Sequence, residues 1–289
     1  MFGHIPVLLD EVIQFLEPKP GGRFVDATLG AAGHTRAILE RTAPDGMVLA
    51  IDQDESALAA AKESLQLFGS RVVLVHANFR QVAAIAAQQG FADCDGVLAD
   101  LGISSMMVDD ASRGFSFMRE GPLDMRMDRT QPTTAADIVN TASEKELADI
   151  IYTFGEERRS RPIARSIVRS RPLQQTTDLV HAIQRVTGGP RHGHIHPATR
   201  TFQALRIYVN DELKNLEEFL DSSMSVVRSG GRVVVITFHS LEDRIVKQRF
   251  RSSVVPGRPL TKKVVTGSEE EVRRNPRARS AKLRAWERS

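Results

Sequence analysis

Four short apolar runs punctuate the first hundred residues: Arg23-Phe-Val-Asp26, Met47-Val-Leu-Ala-Ile51, Val72-Val-Leu-Val75 and Gly96-Val-Leu-Ala-Asp100. Each is nearly continuous rather than alternating, the pattern of a strand covered on both faces. Between them the apolar residues change period. Ala37, Ile38 and Leu39, then Ala57, Leu58, Ala61 and Leu65, then a stretch over about 80–89, have helical spacing. Strands alternating with helices predict a parallel, doubly wound sheet. Ligands bind such sheets beyond the carboxyl ends of the strands.

From about residue 104 to 213 no strand pattern is found. Ser143-Glu-Lys-Glu146 reads as a capping box ahead of Leu147, Ile150 and Ile151. Ile163, Ile167 and Val168 mark another helix, and Leu179, Ile183 and Val186 a third. After a helix carrying Leu213, Leu216 and Leu220 and a turn at Gly230-Gly231, strand character returns at Arg232–Phe238. The economical division is an α/β domain over 1–103 plus 214–289, with a helical insert at 104–213. The stretch 252–270 is polar, punctuated by Pro and Gly, and reads as a mobile loop.

The stretch Asp26-Ala-Thr-Leu-Gly30-Ala-Ala-Gly33-His34-Thr35 joins the first strand to the first helix of the α/β pattern, and Asp52 ends the next strand. Strand, glycine loop, helix, strand and acid form the front half of a nucleotide-binding unit. The helix N-terminus offers free N–H groups and the acid can accept ribose hydroxyls. The dinucleotide signature G-x-G-x-x-G is absent. Asp26, just ahead of the glycines, suits a ligand with a positive amino group, such as S-adenosylmethionine. Gly30, Asp52, Phe79 and Asp100 all fall on one rim. Asp100 is placed to hold an exocyclic amine, or else it is a capping acid at a strand end. His239 is either a donor to substrate or a structural histidine, the latter favoured. His192, His194 and His196 have H-x-H-x-H spacing without a fourth ligand, so no metal site is expected. Phe115 and Phe117, between Arg113 and Arg119, offer ring faces for an extruded base, with core packing the competing reading. The alternation over Gly121–Asp128 suggests a cleft rim.

The net charge of +3 conceals two basic clusters. Residues 156–172 hold six arginines against two glutamates, and residues 272–289 hold seven Lys/Arg against one Glu. Such clusters suit a polyanion partner, with Arg158, Arg159, Arg161, Arg165, Arg277 and Arg279 as phosphate contacts, or they are solvated faces. The single cysteine, Cys94, excludes an internal disulfide framework. With no signal-like or membrane-length apolar run, a cytoplasmic protein is expected.

These strings bring a family into view. The chain resembles the bacterial family that methylates the N4 amine of a cytidine in the decoding region of 16S ribosomal RNA. The resemblance runs through His4–Leu9, Asp100-Leu-Gly, Arg113–Phe117, Gly121–Asp128, Tyr152–Arg158, His196–Arg206, Phe238–Arg244 and Asn275–Arg284, hence essentially the whole chain. It implies an α/β, Rossmann-like class I S-adenosylmethionine-dependent methyltransferase fold with an inserted helical domain for RNA recognition. It also implies cofactor contacts around Gly30, Ala32, Gly33, His34, Asp52, Phe79, Asp100 and Met107, and Asp100 as the catalytic candidate. The implied partner is 16S rRNA or the small ribosomal subunit, with either a monomer or a homodimer compatible. Two departures stand out. Glycine is usual where this chain has Ala32, often also at Ala31, and Pro-Gln is usual at Met106-Met107, so Met107 cannot make the cofactor contact of that glutamine. An RNA-binding assembly factor without activity and a nicotinamide oxidoreductase remain as alternatives.

Overall fold

The computed structural model describes residues 5–190, 193 and 195–289. It divides into two compact units, Met1–Gly102 with Leu213–Ser289, and Ile103–Glu212. The chain opens with α1 (Leu9–Leu16), β1 (Arg23–Asp26), α2 (Gly33–Arg41), β2 (Met47–Asp52), α3 (Glu55–Ser64), β3 (Val72–His76), α4 (Val82–Gln88) and β4 (Cys94–Asp100). The helical unit holds α5 (Ser105–Asp109), α6 (Ala135–Thr141), α7 (Glu144–Gly155), α8 (Ser160–Arg169), α9 (Thr176–Thr187) and α10 (Thr199–Val209). The chain then completes the first unit with α11 (Glu212–Val226), β5 (Val227–Thr237), α12 (Ser240–Arg251), β6 (Gly257–Pro259), α13 (Glu269–Arg274) and β7 (Lys282–Arg288).

The sheet order is β3-β2-β1-β4-β5-β7-β6. Strands β1 to β5 pair in parallel, and β7 lies antiparallel between β5 and β6. Chain order reverses between β1 and β4, which places the switch-point crevice at their carboxyl ends. Both faces of the sheet are covered, as the apolar runs require. Val25, Leu49, Ile51, Val97, Ala99, Val233 and Val235 enter one core. The residues between them, Phe24, Val48, Ala50, Leu98, Val234 and Ile236, enter the core on the opposite face. That is the two-residue period of a pleated strand.

Three sequence expectations change here. Strand β5 starts at Val227 rather than Arg232, because Gly230 at φ 75 is absorbed within it. The stretch 252–270 is not one loop: Gly257–Pro259 adds a strand at the sheet edge and Glu269 opens a helix. Although Arg279 stands exposed, the end of the basic tail is structural. Its last strand buries Leu283, Ala285 and Trp286, while Arg284 sets its guanidinium on the Asp243 carboxylate at 2.7 and 3.2 Å. Arg288 donates to the carbonyls of Ser225 and Val227. Asn275 is buried and donates to the Ile5 carbonyl at 3.0 Å.

The helical unit has its own core, including Leu147, Ile150, Ile151, Ile163, Ile167, Leu179 and Ile183. The capping box on Ser143 and Glu146 is formed, and a second one joins Thr134 and Asp137. Gly155 ends α7 where a Cβ would stand 2.5 Å from the Arg200 carbonyl oxygen, so only glycine permits this approach to α10. The alternation over 121–128 puts its apolar positions in this core. Leu123, Met125 and Met127 are buried, and Asp124 takes Arg126 in a two-pronged pair at 2.7 and 2.8 Å.

Candidate active site

The loop between β1 and α2 is tied to both neighbouring strand ends. The Gly30 amide donates to Asp52 Oδ2 at 2.8 Å, which fastens the loop to the end of β2. The Asp100 amide donates to Thr28 Oγ1 at 2.6 Å, which fastens it to the end of β4. The Leu29 amide donates to the Ile51 carbonyl at 2.9 Å between them. Gly30 stands at φ 50, and a Cβ there would meet nothing nearer than the Thr28 carbonyl oxygen at 4.0 Å. The chain therefore folds tightly back while keeping that side of the loop clear.

Asp26 faces inward. It is 1% exposed, accepts the Thr35 hydroxyl at 2.6 Å and the Thr28 amide at 3.2 Å, and braces the loop from beneath. Burial pushes its carboxyl up to about 6, against the Thr35 hydrogen bond, the nearby His34 and the Thr28 amide. It is thus a brace, not the free acid facing a ligand amine that its place ahead of the glycines suggests. Asp52 accepts the Asp54 amide at 2.9 Å on its other oxygen and a further backbone bond from Gln53. A carboxylate oxygen has room for a second donor, so Asp52 keeps acceptor capacity for hydroxyls. Burial raises its pKa as well, against those same amide bonds.

Helix α2 begins bare. Its N-cap, Ala32, sits at φ 63 and ψ 15, gives no side-chain cap, and no acid occupies the first turn. The left-handed conformation explains why glycine suits this position, since an L-side chain there is strained by ~1–2 kcal/mol. An uncapped N-terminus presents unpaired N–H groups and partial positive charge to an anion. Beside it lies a polar cluster without internal satisfaction. His34 is 6% exposed and its Nε2 stands 3.6 Å from Asp100 Oδ2. Among the described residues, neither ring nitrogen of His34 nor Asp100 Oδ1 has a hydrogen-bond partner. Buried polar atoms are expensive to leave unpaired, so this cluster is built for something not supplied by the chain.

A family model describing the MraW methylase family matches residues 1–289. The chain belongs to the MraW methylase family. It is similar to proteins named ribosomal RNA small subunit methyltransferase H. That of Geobacter sulfurreducens is 50% identical over 307 residues, covering 99% of either chain. That of Dehalococcoides mccartyi is 50% identical over 304 residues, covering 99% of this chain and 87% of the relative. That of Syntrophobacter fumaroxidans is 47% identical over 305 residues, covering 98% of this chain and 96% of the relative. The fold is α/β, built on the seven-stranded sheet, and S-adenosylmethionine is the methylase's methyl donor. This removes the nicotinamide alternative. The open space at Gly30, the bare end of α2, the acceptor on Asp52 and the unpaired atoms of His34 and Asp100 fit a ligand carrying carboxylate, ammonium and ribose together.

Gly30, Ala32, Gly33, His34, Asp52 and Asp100 are thus gathered by the loop and the strand ends that tie it. Phe79 follows β3, half-buried, with its ring edge-on to Phe219 at 5.3 Å. Met107 belongs to the helical unit, where it is 5% exposed in that unit's core. The base-stacking reading of Phe115 is overturned. Phe115 is 7% exposed in the helical core, and buried Arg113 donates to the carbonyls of Arg126 and Met127 at 3.0 and 2.8 Å. Phe117 is stacked on His196 at 4.5 Å and edge-on to Phe202 at 5.3 Å, so its ring is engaged within the unit. His239 caps α12, its Nδ1 accepting the Glu242 amide at 3.4 Å and its Nε2 lying 3.2 Å from Glu242 Oε1. His192 and His194 lie outside the described residues. His196 accepts the Ala198 amide. The sequence reading passed over Thr28 and Thr35, which hold Asp100 and Asp26. Their signal was present as two short hydroxyl side chains within one loop. Among the described residues no helix is long and apolar enough to cross a membrane.

Proposed function

We propose that this methylase modifies the N4 amine of a cytidine in 16S ribosomal RNA, within the small ribosomal subunit or its free RNA. The relatives' names support a small-subunit RNA as substrate. Asp100 carries the choice of an amine: a strand-end carboxylate beside the cofactor loop, with Oδ1 buried and unpaired among the described residues. When bound, S-adenosylmethionine supplies an electrophilic methyl group on a good leaving group. Asp52 holds the ribose hydroxyls, the first turn of α2 holds the carboxylate, and His34 and Asp100 complete the polar pocket. Asp100 Oδ1 accepts a hydrogen of the N4 amine, turns the nitrogen lone pair toward the methyl group, and takes the proton the nitrogen sheds. Positioning of this kind supplies much of the catalysis in an in-line transfer.

Methylation at ring carbon C5 needs a thiolate nucleophile, and the geometry is against it. Cys94 is the single cysteine of the chain and is 1% exposed. Burial pushes its thiol up to about 12, and it donates to the Gly96 carbonyl. It also opens β4 while Asp100 closes it, ~20 Å apart at the rise of a strand.

The helical unit serves RNA recognition in this reading. Arg158, Arg159 and Arg161 are exposed around the start of α8 and suit phosphates. The protein works in the cytoplasm, where its RNA substrate is made. The test is methylation of 16S RNA and of small subunits, followed by mass spectrometry of the digested nucleosides. N4-methylcytidine at one site is expected, and Asp100→Asn lowers turnover ~10²–10⁴-fold, the range for a positioned acid–base group. C5-methylcytidine, or near-normal turnover in Asp100→Asn, overturns the assignment. RNA binding without methylation by the wild-type protein favours the inactive assembly factor.

A further inference from the structure

The amino-terminal segment Ile5–Leu8 is fastened over the cofactor loop by residues from the far end of the chain. Pro6 packs so closely on Gly33, the first residue of α2, that a Cβ there would stand 2.4 Å from Pro6 Cγ. Two polar anchors hold the segment in this place. The Leu8 amide donates to Glu271 Oε1 at 2.7 Å, and the Ile5 carbonyl accepts the Asn275 side-chain amide at 3.0 Å. The two anchors support each other, since the Asn275 amide donates to the Glu271 carbonyl at 2.6 Å.

The segment needs these anchors. Leu8 is fully buried at φ 54 and ψ 37, a left-handed conformation that leucine does not adopt unaided. Leu8 is the residue before α1, so its amide lies outside that helix's own hydrogen bonds, and the Glu271 side chain satisfies it. Val7, Leu8, Leu29, Ala32, Ala278 and Leu283 share one apolar cluster, which joins segment, loop and carboxyl-terminal stretch into a single packed block. Packed blocks transmit small displacements because they have no spare volume.

We infer that Glu271 and Asn275 are positioning residues for the cofactor: they hold Ile5–Leu8 as a strap across the first turn of α2 and thereby set how tightly and how long S-adenosylmethionine is retained. This rests on the reading that the loop at Gly30–His34 holds the cofactor. Asp52 and the loop provide contacts, and the strap fixes the loop's first turn in the conformation that makes them. Loosening it acts on the bound state's lifetime while leaving Asp100 in place.

The experiment compares full-length variants by calorimetry and stopped-flow release of S-adenosylmethionine, with turnover measured on RNA at saturating cofactor. Glu271→Ala and Asn275→Ala are expected to raise Kd ~10-fold through faster release, with kcat within about twofold of wild type. Glu271→Gln keeps an acceptor for the Leu8 amide and is expected to retain the wild-type Kd. Gly33→Ala displaces Pro6 with both anchors intact and is expected to show the same rise in Kd. In the wild-type protein, amide hydrogen exchange over residues 5–12 is expected to slow when cofactor is added, a measurement independent of how any variant folds. Unchanged Kd in both alanine variants, beside a raised Kd in Asp52→Ala, overturns the strap and leaves the loop reading standing. Unchanged Kd in Asp52→Ala overturns both. A parallel fall of kcat and affinity in Glu271→Ala, not rescued by glutamine, or exchange over 5–12 indifferent to cofactor, also overturns it.

Discussion

Replacing Asp26 by asparagine isolates the energetic consequence of burying a carboxyl beneath the cofactor loop. Asp26 is 1% exposed, and burial raises its pKa from the ordinary 3.8 to about 6 despite the Thr35 and Thr28 hydrogen bonds. Below pH 3.8 the folded and unfolded chains both carry the proton, and the group contributes its full stability. Between 3.8 and 6 the unfolded chain releases the proton while the folded chain keeps it, so stability falls as pH rises. Above about 6 the deficit is complete. At ~1.4 kcal/mol per tenfold change in proton affinity it amounts to ~3 kcal/mol. Asparagine is the same shape and does not ionise. Its Oδ1 still accepts the Thr28 amide, and its amide donates to Thr35 Oγ1 once that hydroxyl turns. The expected outcome is parity near pH 4 and a variant ~1–3 kcal/mol more stable than wild type at pH 8. Urea unfolding across this range measures it, read by the fluorescence of Trp286, the single tryptophan, which is fully buried. Asp52 titrates in both proteins and cancels from the difference. A stability difference that is flat with pH refutes the reasoning, as does a variant less stable than wild type at pH 8.

Calorimetry should show binding of S-adenosylmethionine and none of NAD, and Asp52→Ala should weaken the former by ~1.5–3 kcal/mol, the range for hydrogen bonds to a charged acceptor. NAD binding in its place refutes the site. Neutralising Arg158, Arg159 and Arg161 together should lower RNA affinity and flatten its salt dependence by ~0.7–0.9 per lost phosphate contact. An unchanged slope returns these arginines to a solvated face. Trp286→Ala should cost ~3–5 kcal/mol in urea unfolding, as for large core aromatics, and a loss below ~1 kcal/mol refutes the placement of β7 in the core.

The strands that the sequence revealed and those it hid differ in how their polar residues are paid for. β1, β2 and β4 are buried on both faces in a parallel sheet and β3, at its edge, is half-buried, so their residues are apolar almost without interruption and stand out from the helices between them. Lys282-Leu-Arg-Ala-Trp-Glu-Arg288 reads as a basic tail because its charges dominate the composition. Its strand character depends on partners far along the chain: Asp243 for Arg284 and Arg232 for Glu287. A local window cannot see an ion pair that spans 41 residues. β6 is hidden for another reason. Its three residues are all exposed and include Pro259, which an edge strand tolerates and an inner one does not.

Within the site, spacing made the loop, Asp52 and Asp100 legible, because a strand's direction fixes which end of it reaches the rim. What each acid does there was not legible. A carboxylate in a sequence is an isolated charge, whereas in the fold each one first serves the loop. Asp26 is buried against Thr35 and Thr28, Asp52 takes backbone amides but stays half-buried at the strand end, and Asp100 keeps Oδ1 unpaired among the described residues. The same accounting divides the basic residues within the tail: Arg284 and Arg288 hold the sheet together, whereas Arg279, like Arg158, Arg159 and Arg161, stands exposed, so a polyanion can reach these without disturbing the fold. Charge composition is blind to this distinction because it is set by the distance to a partner. A reader of side chains alone therefore finds the rim correctly, yet assigns the ligand to the acid nearest the glycines, when the fold has already committed that acid to bracing the loop.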